Sequence, residues 1–186
     1  LSMSASKVTY PGDSLRIDIN HRNLEGFAVS FYKMTGLTRA QLEEGADMSL
    51  SSLIKKKGKE VSKQHFQLLR SNDYQSADTV FRVPTPNIPG VYALQLIPDE
   101  KTGGTSENLI TLTRFKVLTL GLPNNNSEIV ALDAATGYPI DNAQISIYST
   151  KGAVVKQLTT GKDGKVSVEW NSDYRTLAAT KGEDNA

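Results

Sequence analysis

Residues 128–164 read EIVALDAATGYPIDNAQISIYSTKGAVVKQLTTGKDG. An apolar run, residues 128–133, meets the turn formers Thr136-Gly137 and restarts at Pro139-Ile140. An alternating stretch follows, residues 143–149, in which Ile145 and Ile147 take one face and Ser146 and Tyr148 the other. Gly152 breaks the chain again, residues 154–159 resume an extended pattern, and Asp163-Gly164 supplies a hairpin turn. Short strands at roughly ten-residue spacing with glycine turns predict a small β-sandwich. Strands at 165–170 and 176–180 complete it, with Trp170 as a plug at one end.

Working outward, the 119–186 segment makes one domain and residues 1–118 another, each long enough to bury its own core. In the first, Pro11-Gly12 turns into SLRIDIN, residues 14–20, where Leu15, Ile17 and Ile19 alternate with polar residues. FAVSFY, residues 27–32, reads as a second strand, and its closeness in sequence predicts an antiparallel pair with the first. A helical insert occupies about residues 37–76. Thr38 can cap a helix, and Leu50, Leu53 and Ile54 sit at helical spacing, so one or two short helices are expected there. KEVSKQHFQLL, residues 59–69, fits helix or strand, and its residues alone leave the choice open. TVFRVP (79–84), the Pro-Gly-led run 90–97, and one long strand at 109–120 close the domain, with a Gly-rich loop at 99–107.

Composition excludes several functions. The 186 residues carry 21 Lys and Arg against 20 Asp and Glu, a net charge of +1, so no field is expected to attract nucleic acid or an anionic membrane. The basic run at 55–59 (KKKGK) lacks interleaved aromatics and reads as a solvated loop or helix end. With no cysteine, there is no disulfide, thiolate nucleophile or Cys-ligated metal. No run approaches the roughly 18 apolar residues that cross a bilayer. Leu1-Ser-Met-Ser-Ala-Ser carries no signal-peptide pattern and reads as a start inside a longer chain.

The run from Val130 to Tyr148, followed by Thr159-Thr-Gly-Lys-Asp-Gly-Lys-Val, resembles the D-x-x-T-G-x-P pattern of macroglobulin-like domains. The same pattern occurs in transthyretin-like and carboxypeptidase-regulatory sandwiches. Upstream, the residues from Tyr10-Pro-Gly through Arg22-Asn-Leu to Tyr32, and Pro89-Gly-Val-Tyr, are similar to the preceding domain of large Bacteroidetes-type members of the alpha-2-macroglobulin family. The closing run from Leu177 to Ala186 matches the family's strand end. The resemblance implies two consecutive macroglobulin-like, immunoglobulin-like antiparallel sandwiches. It implies a scaffold segment of an exported cell-envelope protein, periplasmic or lipid-anchored, that entraps proteases. Its partners would be neighbouring macroglobulin-like domains and, through the whole protein, host or competitor proteases. A thioester, where members carry one, needs a cysteine absent here. The alternatives are an adhesin or glycan-binding module, for which Tyr138, Tyr148 and Trp170 would supply an aromatic platform, or an accessory domain of a secreted peptidase or TonB-dependent receptor.

No catalytic, cofactor or metal set is expected. His21 reads as a turn or exposed strand-end residue, and His65 as core-edge packing. Asp133, Asp141 and Asp163 could in principle offer oxygens to calcium, but each sits where Asp caps its own turn. Gly103-Gly104 lacks the lysine and flanking elements of a phosphate loop, and no G-x-S-x-G nucleophile motif occurs. The residues singled out are therefore a turn motif: Asp133, Thr136, Gly137, Pro139, Ala143, Asp163 and Gly164. Gly137 allows a positive φ, Pro139 fixes the restart, and small Ala143 enters the sandwich beside them.

Overall fold

The computed structural model describes residues 1–35, 49–68, 75–100 and 104–185. It is mainly β and divides into two compact units, Leu1–Leu112 and Thr113–Ala186. Each unit is a pair of sheets around its own core.

In the first unit the strands are β1 (Ser2–Ala5), β2 (Val8–Thr9), β3 (Ser14–Arg22), β4 (Gly26–Met34), β5 (Gly58–Gln67), β6 (Ser76–Pro84), β7 (Gly90–Pro98) and β8 (Ser106–Leu112). They form one sheet ordered β1-β3-β6 and a second ordered β2-β8-β7-β4-β5. All pairings are antiparallel except β2 with β8, which run parallel. The alternation read in residues 14–20 is real: Leu15, Ile17 and Ile19 are buried while Ser14, Arg16 and Asn20 are exposed. The pairing predicted from it is not. β3 and β4 lie in different sheets, and the chain crosses between them through Asn23, which adopts φ 50°. The physical reason lies in β4, where Phe27, Val29 and Phe31 face β3 across the core with Tyr92, Leu94 and Ile110. A hairpin would have put these large side chains beside β3 instead of opposite it.

β4 is buried on both faces, which explains its continuous apolar run. At the Tyr32–Met34 end its second face packs against α1 (Leu50–Lys57). Ser49 caps this helix by accepting from the Ser52 amide, and Lys55, Lys56 and Lys57 occupy its last turn, where they complement the helix dipole. Ile54, Leu50 and Leu53 pack with Met34, Val91 and Ala93. Within the insert expected at 37–76, α1 is the helix that the Leu50/Leu53/Ile54 spacing indicates, and residues 58–67 form strand β5. The helix expected at Thr38 lies outside the described residues.

The second unit contains β9 (Phe115–Gly121), β10 (Asn126–Asp133), β11 (Gln144–Ser149), β12 (Val154–Thr159), β13 (Lys165–Glu169), β14 (Tyr174–Lys181) and β15 (Asp184–Asn185). Its sheets are ordered β13-β10-β9 and β12-β11-β14-β15. Ile129, Ile145, Ile147, Val168 and Ala179 form the core between them. The single long strand expected at 109–120 is two, β8 and β9, interrupted at Thr113-Arg114. The division between units accordingly falls after Leu112 rather than after Leu118. Thr113 explains the break: its hydroxyl donates to the Asp184 carboxylate at 2.6 Å, accepts from the Phe115 amide at 3.0 Å and ties this point to the second unit. The β9–β10 turn uses Asn124 and Asn125, with φ 59° and 55°, the left-handed pair that tight hairpins favour.

Candidate functional site

The seven turn residues gather at the connections leaving β10, β12 and the start of β11. Asp133 Oδ1 accepts from the Thr136 amide (2.8 Å), the Thr136 hydroxyl (2.9 Å) and the Ala135 amide (3.1 Å). These bonds stabilise the ionised form, so the Thr136 donors hold the Asp133 carboxyl below the usual carboxylate range, with a smaller contribution from Arg114. The turn closes as the Gly137 amide donates to Asp133 O and the Asp133 amide to Tyr138 O, both at 2.8 Å. Gly137 has φ +72° with open space where a Cβ would stand, so conformation alone selects glycine there.

Pro139 sits in an isolated bridge with Leu132, and the Ile140 amide donates to Ala131 O at 2.9 Å. Gly164, also at φ +72°, is tightly enclosed: a Cβ would meet Ala131 O at 2.6 Å and the Pro139 side chain at 2.8 Å. Its carbonyl accepts from the Ala131 amide at 2.8 Å. Asp163 accepts from the Lys165 amide at 3.2 Å. The Asp163-Gly164 turn is not a hairpin, since β12 and β13 belong to different sheets; it is a corner between them. The corner and the Pro139 restart touch because both attach to Ala131 on the central strand β10. Ala143 is fully buried, and its amide donates to the Thr160 hydroxyl at 2.9 Å.

Thr160 is the residue that the sequence reading passed over. It is buried, and its hydroxyl also donates to Ile140 O at 2.8 Å, joining the two turns. The available signal was its place four residues before Gly164 in the quoted motif. Chemically the cluster is self-satisfied. The three aspartates that could have offered oxygens to a cation are each engaged: Asp133 and Asp163 by their own turns, and Asp141 by Lys181, whose ammonium stands 2.8 Å away and lowers its pKa. Among the described residues no three His, Cys, Asp or Glu side chains converge to hold a metal ion.

The histidines exchange their expected environments. His21 is buried, continuing the inward series Leu15, Ile17, Ile19, with Nε2 3.0 Å from the Thr79 hydroxyl. Strand β3 extends one inward position further than its apolar residues show. His65 is exposed on β5, 2.8 Å from the Asp99 carboxylate. The aromatic platform is also absent. Tyr148 is buried beside a register shift in β11, and Trp170 packs edge-on against Tyr174 at 5.5 Å over the core. Tyr138, 73% exposed, stands without either ring as a partner. No helix among the described residues is long and apolar enough to cross a membrane.

No protein-family model matches the sequence, and no curated protein matches it. Solved structures do resemble it. A crystal structure of native alpha-2-macroglobulin from Escherichia coli spanning domains MG0-NIE-MG1 matches with a TM-score of 0.74 at 17% identity, over 99% of this chain and 62% of that one. The NIE-MG1 structure from the same protein matches with a TM-score of 0.69 at 19% identity, over 99% of this chain and 94% of that one. Salmonella alpha-2-macroglobulin reacted with methylamine gives 0.64 at 16% identity, over 100% of this chain and 12% of that one. At these identities the likeness establishes the fold, and the chain spans a fraction of the larger structures' length.

Proposed function

We propose that this chain is a non-catalytic scaffold segment of a bacterial alpha-2-macroglobulin-like protein, and that the whole protein inhibits proteases by entrapment. The observation that supports this most is the match of both units, in order and over 99% of the chain, to the NIE-MG1 pair of the E. coli protein. A generic sandwich module would resemble one unit; here the match runs through both. In this reading the first unit stands where NIE stands and the second where MG1 stands. The residues around Tyr10-Pro-Gly, Pro89-Gly-Val-Tyr and the Thr136-Gly137 turn add a sequence argument for a Bacteroidetes-type member. The parent is then an exported protein of the cell envelope, and its targets are host or competitor proteases. The segment contributes packing surfaces to neighbouring macroglobulin-like domains.

The test mixes the full-length parent with trypsin and follows two substrates. Entrapment predicts that cleavage of a large protein substrate falls while cleavage of a small chromogenic peptide survives, because the caged enzyme stays active but sterically shielded. Unchanged cleavage of both, or equal loss of both, overturns the reading.

A further inference from the structure

Two of the seven turn residues, Asp163 and Gly164, carry a chemistry that a scaffold role leaves unused. They form the sole Asp-Gly pair in the sequence, and no Asn-Gly pair occurs. Aspartate before glycine is prone to cyclise, because glycine has no side chain to shield its own nitrogen and its backbone turns freely. The Gly164 nitrogen bonds to Asp163 Cγ, and the carboxyl OH leaves with the amide proton as water. Water then adds back to open the five-membered imide. Opening at Cγ restores aspartate. Opening at the Asp163 main-chain carbonyl leaves Gly164 joined through Cγ, which is isoaspartate: the composition is unchanged and the main chain gains one methylene.

The folded corner withholds both reactants from this step. The Gly164 amide donates to Gly161 O at 3.0 Å, and Asp163 Oδ1 accepts from the Lys165 amide at 3.2 Å. The Gly161 amide closes the same loop onto Lys165 O at 2.9 Å, and the Ala131 amide of β10 holds Gly164 O at 2.8 Å. Closing the imide ring breaks the first two bonds, so the corner must open before Asp163 can react. The product then has no room to refold. A single added atom at Gly164 would stand 2.6 Å from Ala131 O, 2.8 Å from the Pro139 side chain and 3.0 Å from the Ile140 nitrogen. A main chain longer by a methylene cannot hold the Gly161–Lys165 and Ala131–Gly164 bonds together in a corner packed this closely.

From this corner we infer that Asp163-Gly164 is a self-modification site gated by the fold. Isoaspartate forms in chains whose second unit has opened, and once formed it keeps the corner from closing. The Asp163 side chain is exposed, so accessibility alone would make it reactive in the native protein; the bonds on Gly164 make the rate follow opening instead. Chemical change in an opened state converts reversible unfolding into permanent loss. The pair therefore marks, one way, each copy of the second unit that opens, and it does so with no enzyme or co-reactant beyond water.

The test ages the whole chain at neutral pH, in buffer and in guanidinium chloride, and then digests it with a protease that cuts before aspartate and not before isoaspartate. Loss of the cut between Lys162 and Asp163 reports the modification, and its outcome does not depend on the parent's activity. Loss is expected to be about tenfold slower, or slower still, in the folded chain. Thr160→Val removes the hydroxyl that joins the two turns without touching the reacting pair. It is expected to speed the loss in buffer and leave the rate in guanidinium unchanged. Should that variant fail to fold, the wild-type comparison decides alone. Wild-type chains aged in guanidinium and diluted back should refold in lower yield than fresh ones, with isoaspartate depleted from the folded fraction. Asp163→Glu, which cannot form the five-membered imide, should refold equally well aged or fresh. Equal rates in buffer and guanidinium overturn the inference, as does a folded Thr160→Val that ages no faster than wild type in buffer. Isoaspartate retained at full level in the refolded fraction also overturns it.

Discussion

Two glycines in the second unit share a φ of +72° and differ in everything else. Alanine at Gly137 meets open space, so its cost is conformational, about 1 kcal/mol. Alanine at Gly164 adds a collision with Ala131 O and Pro139, and is expected to lose a further 1–3 kcal/mol or so. Urea unfolding of both variants measures the difference; equal losses would mean that the enclosure around Gly164 relaxes freely. Asp133 gives a pH-dependent counterpart. Its pKa is depressed in the folded state, so its contribution to stability is present above the ordinary carboxylate range and disappears as pH falls through the folded value. Asp133→Asn keeps an acceptor oxygen but cannot titrate. The variant's stability should therefore fall less steeply on acidification than the wild type's, as seen in urea midpoints across the acid range. Parallel profiles would remove Asp133 from the acid response.

At the scale of elements, α1 shows how a short helix persists through packing. Eight residues are too few to hold a helix in water. Ile54 anchors it against Met34, Val91 and Ala93, so Ile54→Ala is expected to cost the first unit about 2–4 kcal/mol. Ser49→Ala, which removes the cap, should cost about 1 kcal/mol. If Ile54→Ala proved as mild as the cap variant, the helix would be an ornament on the sheet and not its cover. The same element explains what the sequence could and could not reveal. Alternation marked β3, and helical spacing marked α1, because both patterns are local. The partner of β3 was not legible, since a strand's neighbours depend on where its large side chains meet across the core. His21 was misjudged for a related reason: polarity suggested a surface position, whereas its place in the inward series beyond Ile19 decided its burial. The Thr136-Gly137 turn was legible because glycine and Asp chemistry act within four residues. Thr160 was not, because its two partners lie about twenty residues away in sequence.

For the whole molecule, the position of the division between units has a direct consequence. The cores of the two units draw on separate residues, the second on Phe115 and Val117 of β9 among others. A fragment of residues 113–186 retains them, together with the Thr113–Asp184 contact, and is expected to unfold cooperatively by itself. A fragment of residues 119–186 loses both and should show a broad, weak transition by near-ultraviolet dichroism. Equal cooperativity in the two fragments would place the boundary after Leu118.

The first residues of the chain divide their loyalty: β1 joins one sheet of the first unit, and β2, three residues on, joins the other beside β8. β8 is the last strand of that unit, and β2 runs parallel to it, with the Thr111 amide bonded to Lys7 O at 2.9 Å. Tension applied across this unit would enter at its first strands and leave at the end of β8. Because β2 and β8 point the same way, that pull slides one along the other and loads their bonds together, instead of peeling them apart in turn. The short parallel pair is thus a mechanical latch, set where a stretched multidomain chain would concentrate force.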